Sequence, residues 1–243
     1  MLLKNSPANG CHRSNSIYGA KEGYTVEITF LLSLNDTKVN YLAHFYLAFD
    51  DPDLLIGQFA GDAVKGKRHQ NYPRRIQEGI LLHRHIDHLT DTHPITSELR
   101  QVLRPTLGLY SPVAIDIFFD HILAKTWDQW HQMPLDDFVL KRYKTLEINK
   151  EGLPERMQFI LTHMVRGNWL GSYQSKEGIQ RSFNGLAERV SNGAAFRLAS
   201  GLLATHFEEV EKAFLMFFPL LIDSSKAKLD TFAAGEQSVA KSR

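Results

Sequence analysis

The chain has 243 residues, with 28 Lys and Arg against 27 Asp and Glu, a net charge of +1. That length suits one sizeable core, and that balance gives no global bias toward nucleic acid or a membrane surface. The single cysteine, Cys11, excludes an intramolecular disulfide framework and a zinc site built on several thiolates, and it fits a reducing, cytoplasmic setting.

Residues 1–38 differ from the rest. "NSPANGCHRSNSIYGAKEG" is polar and without period, so this segment reads as a poorly structured N-terminal extension. "ITFLLSL" is too short to span a membrane and lacks a cleavage pattern after it. From Val39 the apolar spacing is helical, and no alternating strand pattern follows. A helical domain is expected over 39–225, with a polar tail over 226–243.

Within that domain, "VNYLAHFYLA" opens with a helix. Asp51 as N-cap and Pro52 at the first helical position start the next, which Gly66 should end. A helix runs from about Arg74 to before Pro94. Another starts near Pro94 and should stop before Pro105. Ser111 and Pro112 open an almost wholly apolar one, with Ser111 as N-cap. Further helices follow from Pro134, from Pro154, near Ile179, and from Phe196 to Phe218. The fold class is therefore all-α, a multi-helix bundle.

Four stretches carry the residues that could do chemistry. In "ILLHRHIDHLTD", His83 and Asp87 are one turn apart on one face, bordering the stripe of Leu82, Ile86 and Leu89, and Asp91 continues that face. In "VAIDIFFDHILAKTW", Asp116 and Asp120 share one face with His121 beside them. A carboxylate on so apolar a helix needs a partner or a metal. In "LLIGQFAGDAVKGK", Gly57 and Gly61 each cost about 1 kcal/mol relative to Ala, which predicts close approach of a helix or ligand beside Asp62. His44 stands alone on an apolar helix and reads first as a satisfied core residue. Asp62, His83, Asp87 and Asp120, drawn from three different helical stretches, would make an oxygen-rich metal site with one imidazole. Such a site favours Mn or Mg and suits phosphoester hydrolysis. The plainer alternative is a set of solvated or structural side chains. Lys65, Lys67, Arg68, Arg74, Arg75 and Arg84 crowd the same span, either to bind a phosphate or acidic protein, or as a solvated loop.

"VNYLAHFYLA", "GQFAGDAVKGK", "YPRRIQEGILLHRHIDHLTDTHP", "IDIFFDHILAKTW", "NWLGSYQSKEGIQRSF" and "FLMFFPLL" together resemble the bacterial acyl carrier protein phosphodiesterases, in order from Val39 to about Leu221. The resemblance implies an all-helical variant of the HD phosphohydrolase fold. It implies a manganese-preferring hydrolase that releases 4′-phosphopantetheine from the serine of holo acyl carrier protein. The family's G-x-x-x-x-D-x-V-[KR]-G element matches Gly57 to Gly66 and singles out Asp62. H-R-x-I-D matches His83 to Asp87, and D-H-[FIL]-L matches Asp120 to Leu123. The adjacent His–Asp of the HD signature is missing; His83…Asp87 and the reversed Asp120–His121 are its nearest analogues.

Family members commonly begin Met-Asn-[Phe/Tyr]-Leu-Ala-His, so Val39 stands where a start methionine is expected, and residues 1–38 are expected to be an upstream translation artefact. An acidic carrier protein would dock on the basic residues, and Tyr72, Phe118, Trp169 and Tyr173 are candidate liners of an apolar groove. The competing readings are an HD-like phosphohydrolase of a small phosphoester or nucleotide, and a helical binding protein without catalysis.

Overall fold

The computed structural model describes residues 41–188, 190 and 193–241, with side chains to residue 234. The expectation for 1–38 lies outside them. The described residues form an all-α bundle without strands: α1 (Tyr41–Tyr46), α2 (Pro52–Ala60), α3 (Arg74–Thr92), α4 (Pro94–Leu107), α5 (Ser111–Lys125), α6 (Leu135–Ile148), α7 (Glu155–Arg166), α8 (Trp169–Ser172), α9 (Lys176–Ala187), α10 (Ala194–Thr205) and α11 (Phe207–Lys241).

Several boundaries follow from local chemistry. Asp51 caps α2, its carboxylate accepting from the backbone N–H of Asp53 and Leu54, with Pro52 behind it. The helix ends at Ala60, before the expected Gly66, whose φ of 59° belongs to a turn further on. Pro105 does not stop α4, which runs to Leu107. Ser111 is helical rather than a cap, its hydroxyl donating to the Gly108 carbonyl at 2.8 Å. The expected Phe196–Phe218 helix is two helices broken at His206, and the second continues through the segment from 226 to Lys241.

α2 and α3 pack most intimately. Gly57 and Gly79 face each other at their crossing: a Cβ on Gly57 would lie 2.7 Å from the Gly79 Cα, and one on Gly79 would lie 2.9 Å from the Gly57 Cα. One turn on, a Cβ on Gly61 would run into the His83 ring. The mid-helix glycines thus trade helix propensity for a backbone-to-backbone approach. That approach brings the end of α2 onto His83.

α5 is buried nearly all round, with Ile117, Phe118, Ile122 and Leu123 inaccessible to solvent. The helical run Pro94–Lys125 holds a window apolar enough to cross a membrane, but 72% of that window is buried inside the bundle, as in a core helix.

Candidate metal centre

Three helix segments bring four side chains together. His44 comes from α1, Asp62 from the turn after α2, and His83 and Asp87 from adjacent turns of α3. His83 Nε2 lies 3.4 Å from Asp62 Oδ1 and 3.3 Å from Asp87 Oδ2, and His44 Nε2 lies 3.3 Å from Asp87 Oδ1. The two imidazoles stack with centroids 4.3 Å apart. Donor atoms of His44, His83 and Asp87 all fall within 4.8 Å of one another, a group able to hold a metal ion.

The surroundings set the state of each group. His44 Nδ1 donates to Gln58 Oε1 at 2.8 Å, which leaves Nε2 with its lone pair toward Asp87. That Nε2 is buried without a hydrogen-bond partner among the described residues. Burial, followed by the neighbouring His83, holds the His44 pKa below the usual histidine value. On His83 burial works the same way, but Asp87 and Asp62 outweigh it and lift the pKa to about 10. Burial pushes against charge on Asp62 and Asp87 too, yet His83 holds both below the usual carboxylate range, with His44 helping at Asp87. Tyr41 donates to Asp62 Oδ2 at 2.7 Å. Burial first, then Asp62, raises the Tyr41 hydroxyl well above its ordinary value, while Arg156 of α7 pulls the other way.

The cluster fits a divalent cation. Its nitrogen–oxygen separations exceed the roughly 2.7–2.9 Å of charge-assisted hydrogen bonds, and the unpartnered His44 Nε2 needs an occupant on its open side. Two imidazoles with carboxylates are the donor set of Mn, Fe and Zn sites.

The family model for acyl carrier protein phosphodiesterase matches residues 39–221, which include all four of these residues. The chain belongs to the acyl carrier protein phosphodiesterase family. It is an enzyme of the phosphodiester-hydrolase class. It is similar to the acyl carrier protein phosphodiesterase of Enterobacter sp. (strain 638), 32% identical over 191 residues that cover 78% of this chain and 99% of the relative. The Yersinia pestis protein of that name is 30% identical over the same shares. No solved structure matches the chain.

Set against the family motifs, Asp62, His83 and Asp87 converge, whereas Asp120 has other partners. Its two oxygens accept the backbone N–H groups of Leu42 and Ala43, both at 2.9 Å, so that a side chain from α5 caps the start of α1. Burial pushes its carboxyl up to about 8, against the pull of both amides. Asp120 is thus absent from the group of converging donors, and His44 stands in it. Sequence spacing alone reads His44 as a core histidine. The available cue was a second buried polar group, Gln58, on an equally apolar helix.

His121 turns from the cluster and donates through Nδ1 to the Tyr173 carbonyl at 2.6 Å. His85 meets Ser224 on α11 at 2.8 Å, and Asp91 is exposed. Phe118 is core, and Trp169 and Tyr173 border a separate cavity of about 220 Å³.

The basic residues divide. Arg75 pairs with Asp51 at 2.7 Å and Glu78 at 2.8 Å, and Arg74 pairs with Glu78 at 3.1 Å. Arg84 donates to the Val64 carbonyl at 2.7 Å, which pins the turn that carries Asp62. Lys65, Lys67 and Arg68 are exposed on and before the turn Gly66–Asn71. A depression of about 370 Å³ opens directly after Asp62, lined by Arg68, Tyr72 and Pro154 among others.

Proposed function

We propose that the chain is a metal-dependent phosphodiesterase that hydrolyses the bond between 4′-phosphopantetheine and the serine of holo acyl carrier protein, in the cytoplasm. The observation that carries this reading is the dry convergence of His44, His83 and Asp87, with Asp62 beside them, in a chain of this family. His44, His83 and Asp87 would hold the ion and Asp62 would flank it. Manganese suits the mixed imidazole–carboxylate set, with magnesium the weaker match. When bound, the ion supplies Lewis-acid polarisation of a phosphoryl oxygen and lowers the pKa of a coordinated water.

The chain's own residues do the rest. Gln58 fixes the His44 tautomer so that Nε2 presents a lone pair. Tyr41 and His83 orient the Asp62 carboxylate, which is ionised and placed to take a proton from a water molecule. The depression lined by Ala63 and Val64, which follow Asp62 in the chain, would admit the diester, with Arg68 available to its phosphate. Lys65, Lys67 and Arg68 are the part of the basic set best placed to steer an acidic carrier protein. Arg74, Arg75 and Arg84 act within the fold. The HD-like relation of the bundle is part of the same proposal, with His83 and Asp87 taking the place of the adjacent His–Asp.

The test is intact mass of holo acyl carrier protein incubated with the enzyme, with Mn present or removed by chelator. Loss of the phosphopantetheine mass with Mn, stopped by chelator and restored by added Mn, is the expected result. No loss with a folded, Mn-loaded enzyme would overturn the reading and direct attention to small phosphoesters.

A further inference from the structure

A cavity of about 870 Å³ contains none of the converging donors. It lies within the size range of small-molecule sites. Its walls come from α5, α9 and α10, closed at one side by Phe207, the first residue of α11. Ile179 and Leu203 are 1% and 6% exposed, so they form an apolar floor. The exposed Lys125, Lys176 and Arg181 stand at the mouth against a single acid, Glu177. Lys125 Nζ sits 4.5 Å over the Phe207 ring, which holds one ammonium there.

A second, independent feature is His121, part of the wall and 3% exposed. Its Nδ1 donates to the Tyr173 carbonyl, so Nε2 is an acceptor, and no other described residue hydrogen-bonds that ring. The cavity therefore offers, from floor to mouth, apolar walls, polar groups that include the His121 acceptor, and a surplus of positive charge.

We propose that this cavity binds an anionic amphiphile, with an aliphatic chain against Ile179 and Leu203 and an acidic head at the Lys125, Lys176 and Arg181 rim. The chain satisfies walls that would otherwise be wetted apolar surface. The head answers the net charge of the mouth. Two sources share this chemistry: a free fatty acid, and an acylated phosphopantetheine arm, which also offers amide N–H groups to His121. The proposal stands on the cavity and does not depend on the hydrolase reading; only the second source draws on it.

The test is isothermal titration of the full chain with palmitate and, separately, with S-palmitoyl 4′-phosphopantetheine, both below their micelle-forming concentrations. Gly201 lines the cavity, and a Cβ built on it meets no atom within 4 Å, so the side chain of Gly201→Phe starts in open space, and circular dichroism checks that the variant folds. The double variant Lys176→Glu with Arg181→Glu alters only exposed positions. The expected result is saturable one-to-one binding of at least one ligand, weakened about tenfold or more by either variant, and unchanged by chelator. Tighter palmitate binding identifies the free acid as the source, and tighter binding of the thioester identifies the arm. Absence of binding by both ligands, or wild-type affinity in both folded variants, would overturn the proposal.

Discussion

The α2–α3 pair and helix α5 each bury a carboxylate, and they use it in opposite ways. Asp62, at the end of α2, meets an imidazole and a phenol, and His83 holds it ionised. Asp120, on α5, meets two backbone amides, and burial raises it to about 8. Burial of an acid therefore does not mark a ligand. What distinguishes the two is the partner set. Imidazoles and further carboxylates make a place for a cation, whereas backbone N–H donors use the carboxylate up as a helix cap.

Replacing a converging donor should break the contrast most severely. His83→Ala or His44→Ala should remove bound Mn and lower hydrolysis of holo acyl carrier protein by about a thousandfold or more, with circular dichroism unchanged; metal analysis and intact mass read both. Asp120→Asn should leave Mn stoichiometry intact and instead, at a pH below the usual Asp value where Asp120 is neutral in both states, cost about 1–3 kcal/mol of stability by unmaking one of two buried bonds, read by urea unfolding. Loss of metal in folded Asp120→Asn protein would show that Asp120 belongs to the centre after all.

Gly61→Ala sharpens the geometric half of the comparison. Its methyl meets the His83 ring, and the ring must move off its carboxylate partners. Metal affinity should fall about 10- to 100-fold, as for other displaced supports, while an Ala at exposed Gly152, where a Cβ meets nothing within 4 Å, does neither. Gln58→Leu should weaken Mn binding toward the lower end of that range by freeing the His44 tautomer, measured by competition with a chelator.

The smallest effect is on pH dependence. Asp120 has a folded pKa of about 8 against a usual value of 3.8. Below the unfolded pKa both states hold the proton. As pH rises toward 8 the unfolded state releases a proton that the folded state keeps, so Asp120 subtracts stability over that window and no more above it. Asp120→Asn should flatten this part of the stability profile; an unchanged slope would show that the amides keep the carboxylate ionised.

Much of the fold was readable because its helices are punctuated. Asp51–Pro52 and Pro94 mark their starts, and Gly57 and Gly61 announced a close crossing that the structure shows with α3. His83 and Asp87 were legible as one helical turn. His44 was not, since a lone imidazole on an apolar helix has no spacing to betray it. The partners of Asp120 were not legible, because sequence shows that a buried acid needs a partner but not which kind. The pairing of Arg74 and Arg75 with Glu78 was within reach, at i,i+4 and i,i+3 spacing. The Asp51 partner of Arg75, 24 positions away, was not.

The cap on α1 also separates two stages of assembly. Every converging donor lies within residues 44–87, so gathering them closes only short loops, at small entropic cost. The Asp120 lock spans 77 and 78 positions to reach the start of α1. Gathering of these donors and rigidity of the segment that carries His44 are therefore distinct events in the chain's history: the first is local, and the second waits for the central helix to arrive.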